Sequence, residues 1–332
     1  MQMSLYVDNS ETIGGYFQIQ IASKEEYHPS LIKLNTARNA LEYILKIKKY
    51  TKIYIPYFTC IVLLEPLMRM KIPFVYYRIN SQLDPILDFE IGATECLLYT
   101  NYFGLKNDTV NKLCKTIKNI IIDNAQAFFT SPLNGIDTIY SCRKFFGVAD
   151  GAYLALNTDK RLSLPTDVSA NRIMHLIESI DIGKEQAYSI FKENEKGLEN
   201  QSIKQMSALT QKILSSIDYQ NCINSRNKNF NFLHENLGDL NELALEMPIV
   251  KGPLVYPFLI QNADVKKRLI ADKIFTPTYW PNVFDWTTPE MFENYLAKYL
   301  IPLPIDHRYS LSDMKIIIKS LKKALLPNYA NY

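Results

Sequence analysis

The run KNIIIDNAQAFF, residues 118–129, decides how this chain is read. Ile120, Ile121 and Ile122 are β-branched and successive, so a strand built from them is apolar on both faces and has to be covered on both sides. That strand ends in Asp123, a carboxylate whose burial is unfavourable without a partner. Working outward, helical and strand-like segments alternate from about residue 33 to 156. Leu41, Ile44 and Leu45 recur at helical spacing over 37–48, KIYIP (52–56) is a short strand stopped by Pro56, and 59–70 is again helical. PFVYYRI (73–79) and ECLLYT (95–100) read as strands, and DTIYS (137–141) and AYLAL (152–156) close the series. This alternation predicts an α/β large domain in three α/β/α layers around a mainly parallel sheet. Right-handed crossovers then gather the strand C-termini, Pro56, Thr100, Asp123 and Ser141, along one edge, where such sheets bind ligands.

From about 170 to 240 the pattern is largely helical, with Met206, Leu209, Ile213 and Ile217 as a candidate stripe. Beyond 245, VYPFLI (255–260) is a strand, 264–273 a helix and YLIPLPI (299–305) an extended segment. A closing helix runs over 310–325, with Ser312 as its expected cap. The expected division is a large domain over 1–240 and a small C-terminal α+β domain over 241–332.

Composition limits the function classes. A hydrophobic fraction of 47% and a charged fraction of 21% over 332 residues describe a folded chain with a sizeable core. A net charge of +3, with its densest basic run at 46–52 placed on a helix end, gives no support for a nucleic-acid partner. The N-terminus lacks the basic start and apolar core of a signal peptide, and no uncharged run approaches a membrane span, so the expectation is a cytoplasmic protein with no membrane partner. The five cysteines have no paired spacing and are expected as thiols. His28, His175, His234 and His307 stand apart, which argues against a metal site. Neither G-x-G-x-x-G nor a P-loop is present.

Three segments carry candidate chemistry. LNTARNAL (34–41) is a polar turn feeding a helix, where free N–H groups and the helix dipole favour a phosphate and Arg38 adds a cation; Asn35 and Thr36 are equally ordinary N-caps. In IIIDNAQAFF (120–129), Asp123 either holds a protonated ring nitrogen or caps the next turn; Ala125 leaves room for a flat ring and Gln126 offers an amide. In YSCRKFFGVADGAYLAL (140–156), Lys144 follows a strand and precedes a Gly-punctuated loop, and Ser141 can donate to a phosphate. A reactive amine must lose its proton, which Arg143 and a poorly solvated pocket would favour.

Taken together and in this order, the segments resemble the DegT/DnrJ/StrS sugar aminotransferases, which use pyridoxal 5'-phosphate on fold type I. The resembling stretches are 37–41 for the phosphate turn, Asp123-Asn124-Ala125-Gln126, and Lys144 with Gly151-Ala152. IYIPYFTC (53–60), TNYFG (100–104) and IPLPIDHRYS (301–310) extend the similarity along most of the chain. The resemblance implies Lys144 as the lysine that binds the cofactor and shuttles a proton, and Asp123 as the partner of the ring nitrogen. It implies Thr36, Ala37, Arg38, Ala125, Gln126 and Ser141 as further cofactor contacts, with Cys60 where the family places the residue stacked on the ring. Tyr57, Phe58 and Tyr102 are alternatives for that stacking role. An amino acid donor such as glutamate, a keto sugar nucleotide and a homodimer are implied as partners. The chain departs from the family in lacking the glycine of the phosphate turn and the glycine-tyrosine-asparagine stretch. Other sugar chemistry, such as dehydration, and a non-catalytic binding or assembly relative therefore stay open.

Overall fold

The computed structural model describes residues 15–244 and 250–325. Seven strands form one sheet: β1 (Ile32–Leu34), β2 (Lys52–Pro56), β3 (Phe74–Tyr77), β4 (Glu95–Thr100), β5 (Ile120–Asp123), β6 (Asp137–Ser141) and β7 (Ala152–Ala155). Their order is β1-β7-β6-β5-β4-β2-β3. Strands β6, β5, β4, β2 and β3 run parallel, while β7 joins β6 and β1 joins β7 antiparallel. The α/β fold class is as expected from the alternation. Strand β1 had not been anticipated: three residues beside a polar turn are too few to show a strand period.

The isoleucine run explains the layering. Ile121 packs with Leu41, Ile44, Leu45, Ile53 and Leu98 beneath the helix Ala37–Lys48. Its neighbours Ile120 and Ile122 belong to the opposite core, with Tyr54, Leu97, Tyr99, Tyr140 and Tyr153. Each isoleucine is essentially fully buried, which favours the fold by roughly 1.5–3 kcal/mol per side chain. The parallel register sets Thr100 opposite Asp123 and Asp123 opposite Ile139, so β4 and β5 end side by side and β6 runs two residues further, to Ser141.

Downstream, β8 (Val255–Leu259) and β9 (Leu300–Pro304) form a separate antiparallel pair. The closing helix Leu311–Leu325 packs on the helices Tyr219–Leu237 and Ala263–Ala271. Its cap is Ser310, not the expected Ser312. The Ser310 backbone N–H and hydroxyl both donate to Asp313 Oδ2, at 2.7 and 2.8 Å, so the first-turn carboxylate reaches back to the residue before the helix. The stripe over 206–217 also shortens, because the helix there covers only Ala208–Leu214 and Ser207 caps it. Tyr295 and Glu242 tie the surface of this region together through one hydrogen bond of 2.5 Å.

Candidate active site

The ends of β4, β5 and β6, the turn before the helix Ala37–Lys48 and the turn after β6 enclose a cavity of about 180 Å3. Thr36, Ala37, Arg38, Cys60, Asp123, Ala125, Gln126, Ser141 and Lys144 all line it, so these sequence candidates are brought to one place, whereas Tyr57, Phe58 and Tyr102 are not among its lining residues. Thr59, Thr100, Arg143, Glu195 and Trp280 complete much of the wall.

One end is a helix start. Thr36 is the N-cap, its hydroxyl accepting from Asn39 N–H at 3.2 Å, while the first-turn amides of Ala37 and Arg38 have no helical partner by geometry. Arg38 lines the cavity, but its guanidinium donates to Glu65 at 2.6 Å, so it is a neutralised cation and not the free donor expected. The turn is fixed from behind by Gly151, whose N–H donates to Asn35 O at 2.6 Å. Gly151 has φ +109°, and a Cβ there would lie 2.9 Å from Thr210 Cγ2, so glycine is needed on two counts. Ser141, buried at the end of β6, makes no side-chain hydrogen bond among the described residues, which leaves its hydroxyl free for a ligand.

The opposite chemistry comes from β5. Asp123 is 6% exposed and accepts one hydrogen bond, from Ala125 N–H at 2.8 Å, through Oδ1. The turn-capping reading of this residue is observed: Oδ1 caps the following turn, and Oδ2 has no hydrogen-bond partner among the described residues. Burial raises its pKa, against the opposing pull of the Lys144 charge and the Ala125 N–H. Gln126 Oε1 accepts from Phe103 N–H at 2.8 Å, which fixes the amide so that Nε2, buried and without a partner, is a donor in waiting. The Thr100 hydroxyl beside it is likewise buried and unpaired. A buried acid, an unpaired amide N–H and a hydroxyl next to a helix start can together hold a polar ligand that carries an anionic group.

Lys144 differs from the expectation. It is solvent-exposed, because the turn that carries it stands between this cavity and a second one instead of closing over either. Its neighbour Arg143 is half-buried, with its Nε out of reach of solvent. Burial, and then the nearby Arg38 charge, lower the Arg143 pKa to about 10, and Glu195 is its ion-pair partner. Glu195 lies on the helix Tyr188–Gly197, whose Asn194 also donates to Ala149 O at 3.3 Å, so this helix holds the lysine turn from outside. Asp150 anchors the same turn from inside, accepting from Arg172 at 2.6 Å and from Thr210 and Ser169 at 2.5 Å each.

The aromatic candidates sort differently from the sequence expectation. Phe58 and Tyr102 are 0% exposed core residues, the Tyr102 hydroxyl donating to Phe58 O at 2.9 Å, and Tyr57 stacks on Tyr76 at 4.7 Å. None of the three lines the cavity; Cys60 and Trp280 do. Trp280 packs edge-on against Phe58 at 5.0 Å and arrives from the far side of the sequence, which is why no local motif announced it. All five cysteines are free thiols. Among the described residues no helix is long and apolar enough to cross a membrane.

No protein-family model matches the sequence, and no curated protein matches it. Solved structures do match the fold. DesV of S. venezuelae, in complex with a ketimine intermediate, superposes with a TM-score of 0.65 at 14% identity, covering 90% of this chain and 85% of that one. A DegT DnrJ EryC1 StrS aminotransferase from Brucella abortus gives 0.62 at 16% identity over 88% and 85%. The PLP-form of Spr1654, a sugar aminotransferase by similarity from Streptococcus pneumoniae, gives 0.60 at 14% over 90% and 88%. The chain thus has the α/β fold of the DegT/DnrJ/EryC1/StrS sugar aminotransferases, fold type I.

Proposed function

We propose that the protein is a pyridoxal-phosphate-dependent aminotransferase that moves an amino group from an amino acid such as glutamate to a keto sugar nucleotide, working as a homodimer. The observation that carries this reading is Asp123: a buried carboxylate with one backbone hydrogen bond, facing a cavity that Lys144 also lines. When bound, the cofactor supplies an aldehyde for amine exchange and a ring that withdraws electrons from the carbon being deprotonated.

The chain's own residues would do the rest. The amides of Ala37 and Arg38 and the hydroxyls of Thr36 and Ser141 would hold the phosphate. Asp123 would keep a proton on the ring nitrogen, and Gln126 Nε2 would donate to the ring hydroxyl. Ala125 would sit against one face of the ring, with Trp280 and Cys60 covering the other. Lys144 Nζ would hold the cofactor at rest, then take a proton from the donor's carbon and return it elsewhere as general acid–base. A second subunit would reduce the solvent exposure of Lys144.

The test is a two-stage reaction. Glutamate added to the PLP-loaded protein should bleach its visible band and release one equivalent of 2-oxoglutarate, and a keto sugar nucleotide should restore the band. A band that glutamate leaves untouched favours other sugar chemistry. A Lys144→Ala variant that supports an unchanged phenotype in the cell favours a non-catalytic relative, a reading to which the neutralised Arg38–Glu65 pair gives some weight.

A further inference from the structure

Beyond Lys144 the cleft continues into a second cavity of about 600 Å3. Its walls are the turn after β6, the helices Met174–Asp181 and Tyr188–Gly197, and the turn at 306–308 that follows β9. We propose that this cavity is an oxyanion site that seats the carboxylate or phosphate of a substrate whose reacting end lies at Lys144. The word substrate rests on the reading of Lys144 given above; the anion site itself does not.

Charge is the first argument. Arg143, Lys144, Lys184, Arg226 and Arg308 line the cavity, and Asp306 is its only carboxylate among the described residues. Asp306 is engaged by Arg308, accepting from its Nε and Nη2 at 2.6 and 2.8 Å, and Arg143 is paired with Glu195, so Lys144, Lys184 and Arg226 are the cations left without an ion-pair partner among the described residues. Arg226 is the most telling member. Its side chain is 1% exposed on the helix Tyr219–Leu237, and its Nη1 donates to the carbonyls of Pro253 and Leu254 at 3.0 Å each. The guanidinium lies 4.7 Å over the Phe145 ring, and its Nε is buried with no partner. Burial lowers its pKa to about 10. Asp306 acts on it from a distance, but a buried guanidinium held by carbonyl dipoles with no carboxylate in ion-pair contact is an unfavourable arrangement that an incoming anion relieves.

Unpaired atoms are the second argument. Besides Arg226 Nε, the buried atoms without a partner include Arg143 Nε, His175 Nδ1 and His307 Nδ1, all on residues of this same cavity. Every one is a nitrogen. The two arginine Nε–H groups are fixed donors whichever tautomers the histidines adopt, and an oxygen-rich anion with a planar edge is their complement. Phe145, Phe146, Ile180 and Phe191 form the apolar remainder of the wall, which suits an anion carried on an organic body over a bare ion.

The experiment titrates the protein, with and without PLP, with 2-oxoglutarate and with uridine diphosphate by calorimetry. At least one probe should bind. Arg308→Gln and Lys184→Gln, both on the solvent side of the wall and so compatible with folding, should each weaken it about tenfold, and the band formed with PLP should persist in both. Arg226→Lys keeps the charge but loses the planar fork, and should weaken binding as well. Binding of the dicarboxylate alone assigns the cavity to the amino donor, of the diphosphate alone to the acceptor, and mutual competition to both in turn. If neither probe binds the wild type, or if Arg308→Gln and Lys184→Gln leave binding unchanged, the proposal is overturned. A PLP band without probe binding removes the anion site only, and probe binding without a band removes the cofactor reading only.

Discussion

The cavity at the strand ends draws its chemistry from three short stretches, 36–38, 123–126 and 141–144, each seated on a helix start or a strand end. The cavity beyond Lys144 draws Arg143, Lys184, Arg226 and Arg308 from four segments that meet only in the folded chain. In the first, most polar groups are held by backbone: Thr36 by Asn39, Asp123 by Ala125, Gln126 by Phe103. In the second, cations outnumber the acid available to them and buried nitrogens go unpaired. On the proposed reading, the contrast separates an end with fixed acceptors and two spare donors, Gln126 Nε2 and the Thr100 hydroxyl, which would keep one ligand, from a cationic end that would take another.

Lys144 belongs to both cavities, so removing it should have the largest effect. Lys144→Ala should lower turnover by roughly 10⁴-fold or more while changing stability by less than about 0.5 kcal/mol, since the side chain is exposed. Steady-state rates and a denaturation curve on one preparation check both halves. A large loss of stability would mean that the lysine is part of the fold's support, and the comparison would fail at its junction.

Asp123→Asn isolates the first cavity. Turnover should fall by roughly 10²–10³-fold, with the affinities of the anion probes for the second cavity unchanged. Stability should move the other way. Burial raises the pKa of Asp123 in the folded state, so the native protein binds a proton at a pH where the unfolded chain has lost it. The wild type therefore loses stability as pH rises through that raised value. Asparagine removes the loss, and the cofactor-free variant should be as stable as the wild type or more so at neutral pH. The advantage should vanish as pH falls towards the ordinary carboxylate range, which unfolding curves at several pH values will show.

Trp280→Ala sharpens the account of how the first cavity is covered. PLP affinity should fall about tenfold, within what an aromatic face contributes, whereas Tyr57→Ala should leave it unchanged. Gly151→Ala should destabilise by about 1–3 kcal/mol, because its φ of +109° and the close Thr210 methyl both resist a side chain. Ser310→Ala, at the cap of the closing helix, is the smallest effect, about 1 kcal/mol, and should leave both cavities' affinities intact.

The same contrast explains what was legible in the sequence. The strands at 52–56, 95–100 and 137–141 match their sequence limits because apolar runs there are bounded by proline or by polar strand ends. The first cavity was readable because β-strand ends carry ligand groups in any parallel sheet, so Asp123 and Ser141 announced themselves by position. Trp280, Glu195 and Arg226 did not, since no period or spacing links residue 226 or 280 to a turn at 143–148. A faint signal existed for Arg226: it lies on the inner face of a long helix, flanked at helical spacing by Cys222, Ile223 and Phe230, where a charged residue is out of place unless something needs it. The exposure of Lys144 was unreadable for another reason, because it depends on how two cavities share one turn.

The most direct test of the central claim is to load the protein with PLP, reduce it with borohydride and map the labelled peptide. The account predicts a single adduct, on Lys144, and none on the Lys144→Ala protein. An adduct on another lysine, or none on the wild type, would contradict it and leave the chain with the fold of these aminotransferases and without their chemistry.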